Sequence, residues 1–177
     1  RHQSLDNCSL AEKLIVGVLS KGNKYAVDVF GTLISSGGTA GYCVVALPPD
    51  SNYSIYYIQA LLNSKYLEWF CALSGEVFRG GYIARGTKVL NNLPIRIIDF
   101  KNNEDKKIHD KISQTQQKLI EINDKIELNS SNKRISIPLK REFLNLKMEL
   151  HKTLIKLYSL GQDDKLIPLI QKLYETN

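Results

Sequence analysis

Residues 108–126 read IHDKISQTQQKLIEINDKI, and the periodicity of this stretch decides the fold. Ile108, Ile112, Thr115, Leu119, Ile122 and Ile126 are separated by steps of 4, 3, 4, 3 and 4. That is the stepping of a helix that lays one narrow apolar seam against a neighbour. The same stepping returns in Leu139, Phe143, Leu146, Leu150, Thr153 and Leu157. Between the seams, NSSNKRISIP (129–138) interrupts with turn formers and a proline. Two seams joined by about ten residues predict an antiparallel helical hairpin. Leu144, Met148, Ile155 and Tyr158 lie on another side of the second helix, which predicts a second neighbour for it. Gly161 ends that helix, and DDKLIPLIQKLYE (163–175) predicts a short terminal helix bent or begun near Pro168.

Upstream of about residue 102 the period changes from that of a helix to a mixture. KLIVGVL (13–19), KYAVDVF (24–30) and GYCVVAL (41–47) are short β-branched and aromatic runs bounded by Gly, Ser and Asn, which predicts strands. KGNK (21–24) suits a tight turn and SSGGTAG (35–41) a loop. Ser54 offers an N-cap to IYYIQALLNSKYLEWFCAL, where Ile55, Ile58, Leu62, Tyr66, Trp69 and Leu73 predict one helix with one apolar face. LPIRIIDF (93–100) reads as a last strand, with Pro94 near its start, where no ladder bond is lost. The predicted fold is α+β. A small twisted β-sheet with a packed amphipathic helix occupies 1–100. An antiparallel two-helix coiled-coil hairpin and a short terminal helix fill 101–177.

The apolar and charged fractions, 43% and 24%, are those of a folded globular protein. No apolar run approaches the ~20 residues of a membrane span, so no membrane partner is expected. Net charge is +6, which suits a polyanionic partner without requiring one. Arg1 stands where a complete protein would begin with Met, so the chain reads as part of a longer polypeptide. Cys8, Cys43 and Cys71 are odd in number and widely spaced, which fits buried reduced thiols in a cytoplasmic protein rather than a disulfide or zinc framework. His109 and His151 sit in polar helical contexts and read as surface residues.

Phosphate-loop, dinucleotide, zinc-protease and nucleophile-elbow motifs are absent from the sequence. Asp50, Asp99 and Lys101 echo the two acids and lysine of a metal-dependent nuclease, a combination that arises easily by chance. The loop 35–42 presents backbone N–H groups to a phosphate, but a strand follows it and no helix dipole assists.

FRGGYIARGTKVLNNLPIRII (78–98) carries Arg79, Arg85, Lys88 and Arg96 with no acid among them. Glycines 80, 81 and 86 remove side chains that would hold a partner away. Arginine forks fit phosphate oxygens or the guanine edge. A glycine-rich hairpin whose charges face water explains the same residues, and both readings stand on physics alone.

Three segments occur in order: KLIVGVLSKGNKYAVDVFGTLISSGGTAGYCVVAL, YYIQALLNSKYLEWF and FRGGYIARGTKVLNNLPI. Together they resemble the TaqI-like C-terminal specificity domain of restriction–modification DNA methyltransferases, and half of a type I specificity subunit. The likeness covers roughly residues 12 to 100, with ALLNSK and GGY…LNNLPI its most specific parts. HKTLIKLYSLGQDD is similar to the terminal helix of those proteins. The resemblance implies a target recognition module for double-stranded DNA, with helices as spacer or dimer arm. It implies a separate catalytic domain or subunit that binds S-adenosylmethionine and methylates adenine N6, sometimes joined to an endonuclease. The NPPY-type motif of that catalytic domain has no match here, so no cofactor and no catalytic residue are expected in this chain. The DNA-contacting positions it suggests are Lys21, Lys24, Tyr25, Ser35, Ser36, Thr39, Arg79, Tyr82, Arg85 and Lys88. Two rival expectations stay open: a helical interaction or homodimerisation protein without DNA binding, and the metal-dependent nuclease.

Overall fold

The computed structural model describes residues 12–22, 25–32, 34 and 41–159. The chain divides into two compact units, 1–95 and 96–177. The predicted terminal helix, Cys8, Lys24, Ser35, Ser36 and Thr39 lie outside the described residues.

Among the described residues the first unit carries two three-stranded antiparallel sheets rather than the one expected. In the first sheet β1 (Lys13–Gly17) is central, between β3 (Ala26–Asp28) and β4 (Tyr42–Ala46). Its register pairs Leu14 with Val27 and Val45. Leu14 and Val16 alternate onto the buried face, the period that marked this run as a strand. The second sheet orders β2 (Leu19–Ser20), β6 (Tyr82–Ala84) and β5 (Val77–Phe78). KLIVGVL therefore serves both sheets, and Val18 is the joint. Its N–H donates to Gly41 O at 2.9 Å, beside the first sheet, and its carbonyl accepts from Arg85 N at 2.6 Å, beside the second.

The helix expected over 55–73 is two helices, α1 (Ile55–Leu62) and α2 (Lys65–Ser74). Ser54 caps α1 by accepting from Tyr56 N, and Ser64 restarts the chain as N-cap of α2 by accepting from Leu67 N, each at 3.2 Å. The restart shifts the buried face. Ile55, Ile58 and Leu62 are buried as expected, whereas in α2 the buried residues are Leu67 and Cys71. Trp69 and Leu73, expected on the apolar face, are 55% and 66% exposed. α1 packs on β1 and β3 and forms the centre of this unit. Tyr57, Leu61 and Leu14 are fully buried there, each worth about 1.5–3 kcal/mol by area.

A three-residue turn joins β5 to β6, with Gly80 and Gly81 at φ +87° and +78°, a region that costs other residues dearly. A single turn, α3 (Thr87–Leu90), follows. The strand expected over 93–100 is not formed: residues 93–99 carry no regular element. Pro94 offers no N–H, and the Ile95 N–H closes a local turn onto Leu93 O at 2.8 Å instead of joining a ladder.

The second unit contains α4 (Asn103–Leu128) and α5 (Lys133–Leu157), packed together along their lengths. The fold is thus α+β, two small antiparallel sheets with helices plus a long helix pair. The break between the helices is shorter than the sequence suggests, because Asn132 caps α5 and Pro138 lies inside it. Lys111 Nζ pairs with Glu149 Oε1 at 2.9 Å, at positions nearly equidistant from the turn, as an antiparallel arrangement requires. Ile112, Thr115, Leu119 and Ile122 are buried, facing a stripe that includes Leu150, Leu154 and Leu157. Polar members of the seam satisfy themselves on their own helix: Ser113 Oγ donates to His109 O and Thr115 Oγ1 to Lys111 O, both at 2.8 Å. His109 is buried, not at the surface; its ring meets Phe100 edge-on at 5.1 Å and Asp110 at 2.9 Å. His151 is half-buried. Leu144 and Met148, expected to meet a second neighbour, are each 57% exposed.

Candidate nucleic-acid interface

Two of the basic segments singled out in the sequence meet in the second sheet. The pairs Leu19↔Ala84 and Ser20↔Ile83 lay the residues that lead into Lys21 beside β6. Lys21 is exposed there, and its side chain passes next to Gly81: a Cβ on that glycine would lie 3.7 Å from Lys21 Cε. Arg79 is exposed on the β5–β6 turn, and Lys88 is exposed on α3. Tyr82 is 44% exposed and directly opposite Phe78, itself 43% exposed. The result is a short hairpin tipped by glycine, edged with cations and carrying an exposed aromatic pair. Long cationic side chains on exposed backbone suit phosphate oxygens, and an exposed aromatic ring suits a sugar or base face.

Tyr25 and Arg85, by contrast, are buried, at 2% and 0% exposure. Arg85 is not available as a base contact in this arrangement, because its guanidinium is engaged inside the unit. Its Nε donates to Ser20 Oγ at 2.7 Å, and its Nη2 donates to Gly22 O at 3.1 Å and to Glu68 Oε1 at 2.6 Å. The guanidinium carbon stands 6.0 Å from the Tyr25 ring centroid, at the limit of a cation–π contact. Burial works to lower the Arg85 pKa, but the Glu68 hydrogen bond and charge more than offset it, so the group stays cationic. Burial pushes the Tyr25 phenol up to about 12, with Cys71 adding to the rise, so it stays neutral. The Cys71 thiol is raised for the same first reason, which makes it a poor nucleophile.

Tyr25 is held by its backbone. Its N–H donates to Asn63 Oδ1 at 3.0 Å, while its carbonyl accepts from Asn63 Nδ2 at 3.0 Å and Gln59 Nε2 at 2.9 Å. Asn63 thus mimics a strand partner, at the residue where α1 gives way to α2. A second buried pair anchors the residues that follow β3. Lys13 Nζ lies 2.8 Å from Asp28 Oδ2, and Asp28 also accepts from Phe30 N, Thr32 N and Thr32 Oγ1. The Lys13 hydrogen bond, with those from Phe30 and Thr32, holds the Asp28 carboxyl down at about 2.

Glu68, Asn63, Lys13 and Asp28 were not among the residues singled out from the sequence. The available signal was a polar residue inside an apolar pattern: Lys13 and Asp28 in strands, Glu68 in a helix. Of the nuclease-like residues, Asp50 and Asp99 are exposed and belong to different units. Among the described residues no group of three His, Cys, Asp or Glu side chains is placed to hold a metal ion. No helix among them is long and apolar enough to cross a membrane.

No family model matches the chain, and no solved structure matches it. The chain is 46% identical, over 175 residues, to the type II restriction enzyme and methyltransferase RM.Eco57I of Escherichia coli. That alignment takes in 99% of this chain and 17% of the relative's length. Along nearly its whole length, this chain is therefore related to a segment of a restriction–modification protein.

Proposed function

We propose that this chain is the sequence-specific double-stranded DNA recognition module of a restriction–modification system. It orients an adenine-N6 methyltransferase, with or without a fused endonuclease, on its target. Methyl transfer from S-adenosylmethionine belongs to a catalytic domain or subunit other than this chain. The observation that carries the reading is the β2–β6 pairing, which sets Lys21 beside the glycine turn of the Arg79–Lys88 segment. The relative's restriction and methyltransferase activities supply the setting. Lys21, Arg79 and Lys88 supply phosphate contacts and Tyr82 a base or sugar contact. Lys24, Ser35, Ser36 and Thr39 remain assigned by resemblance alone, and Arg85 and Tyr25 act from within.

Fluorescence anisotropy with a labelled duplex tests this reading. Replacing Lys21, Arg79 and Lys88 together by alanine lowers affinity at moderate salt. It also flattens the plot of log affinity against log salt by about 2.7, if all three neutralise phosphates at ~0.9 each. An unchanged slope overturns the interface. A second reading, self-association through the hairpin, is favoured by the exposed Leu144 and Met148 on α5. Sedimentation with and without duplex separates the two.

A further inference from the structure

We propose that Arg85 and Glu68 form a latch that fixes the spacing between the Lys21 turn and the Arg79–Lys88 segment, and that this latch governs sequence discrimination more than affinity. The inference rests on the DNA-recognition reading above and assigns to it two positioning residues that touch no DNA.

Three observations carry it. First, the second sheet is too short to hold itself: β2 meets β6 through two residue pairs, and β5 meets β6 through two more. So small a ladder is marginal by backbone bonds alone. Second, Arg85 supplies the missing cross-links. Its backbone N–H is bonded to Val18, and its side chain is bonded to Ser20 and Gly22, the residues on either side of Lys21. Glu68 ties the same guanidinium to α2. Lys21 is therefore held from both flanks by a residue three positions from both Tyr82 and Lys88.

Third, the cluster is poorly made as a source of stability. Among the described residues, the buried Arg85 Nη1, Glu68 Oε2 and Tyr25 Oη make no hydrogen bond of good geometry, although the Arg85 and Tyr25 side chains stand close enough to interact. A buried ion pair with incomplete bonding is matched or exceeded in stability by apolar residues of similar volume. What the pair provides that Met and Leu do not is a fixed geometry. Contacts between flexible lysines and phosphates tolerate small displacements, whereas base-edge readout needs positions held within about 0.5 Å. A slackened latch therefore leaves charge attraction intact and blurs the reading of bases.

The test is selection of the protein against a randomised duplex pool, with motif enrichment as one readout and low-salt binding to random duplex as the other. The variants are Arg85→Met combined with Glu68→Leu, which keeps the volume filled, Arg85→Lys, which keeps the charge without the fork, and Ser20→Ala, which removes one tether and keeps the ion pair. The wild type enriches a motif. Each variant loses enrichment contrast, by about tenfold or more in the double variant, as expected for a displaced base contact. Low-salt binding to random duplex changes by less than about twofold, because the surface cations are untouched. Retained contrast in the double variant overturns the latch and leaves the pair a structural feature only. Should the double variant lose its circular dichroism spectrum, unchanged contrast in Ser20→Ala overturns it equally. A wild type that enriches no motif defeats the DNA-recognition reading itself, and the latch falls with it.

Discussion

Removing Glu68 alone exposes how much the buried pair matters to the first unit. In Glu68→Ala the Arg85 guanidinium, fully enclosed in the native structure, loses its carboxylate partner and keeps Ser20 Oγ and Gly22 O as acceptors. Breaking a buried ion pair from one side costs ~3–5 kcal/mol. The two surviving hydrogen bonds, each worth about 1 kcal/mol net, place this case at the low end, near 3 kcal/mol. With a urea slope of about 2 kcal/mol per molar, the unfolding midpoint falls by ~1.5 M. Trp69, the sole tryptophan, is the next residue on α2, so its fluorescence reports the unit concerned. The double variant Arg85→Met with Glu68→Leu removes both charges and lands within about 1 kcal/mol of wild type. With the single variants Glu68→Leu and Arg85→Met measured alongside, the cycle gives a coupling energy of at least ~2 kcal/mol. Added salt leaves the coupling unchanged, because a pair at 0% and 16% side-chain exposure is screened little. A midpoint shift below about 0.5 M, or a coupling that disappears at 1 M salt, refutes the enclosed pair.

Gly81→Ala places a Cβ on a residue at φ +78° and costs ~1–2 kcal/mol, read as a lower thermal midpoint, although the space beside Lys21 would admit the methyl group. Asp28, held near 2 against an ordinary value of 3.8, contributes stability that is complete above about pH 4 and is lost as pH falls toward 2. Asp28→Asn lowers stability at neutral pH and flattens that acid limb in urea titrations across pH 2–5; an acid limb of unchanged slope refutes the pairing. Ile112→Ala, at a fully buried seam position, costs ~2–5 kcal/mol, whereas Ile97→Ala, 77% exposed, stays within about 0.5 kcal/mol by denaturant unfolding.

The parts of this fold that were legible in the sequence are those determined by near neighbours along the chain. The seam of α4 is a run of three- and four-residue steps, and Ile112, Leu119 and Ile122 are buried as that run requires. β1 was legible for the same reason, since Leu14 and Val16 alternate onto one face. The division of α1 from α2 was not legible, because Asn63 and Ser64 are tolerated inside helices. At the break the Asn63 side chain pairs with the Tyr25 backbone, 38 residues away, and Ser64 caps the new helix. The restart shifts the buried face and puts Trp69 outside and Leu67 inside. Pro138 misled in the opposite sense, since a cap at Asn132 lets the helix start ahead of it.

Arg85 carries the same lesson into the candidate interface. A cation between Ala84 and Gly86 in a run free of acids reads as a surface charge, and nothing within the run contradicts it. Its acid lies 17 residues upstream, inside a helical pattern where a single Glu reads as solvated. Local composition therefore identifies the charges that face outward, Lys21, Arg79 and Lys88, but not the buried contacts that place them. Those contacts join β2, α2 and the end of β6 through one side chain. If the outward charges meet DNA, their relative spacing is a property of Arg85 and Glu68 rather than of the basic run itself. Changing a surface cation should then alter how tightly the module binds, and changing the buried pair should alter how sharply it discriminates among sequences.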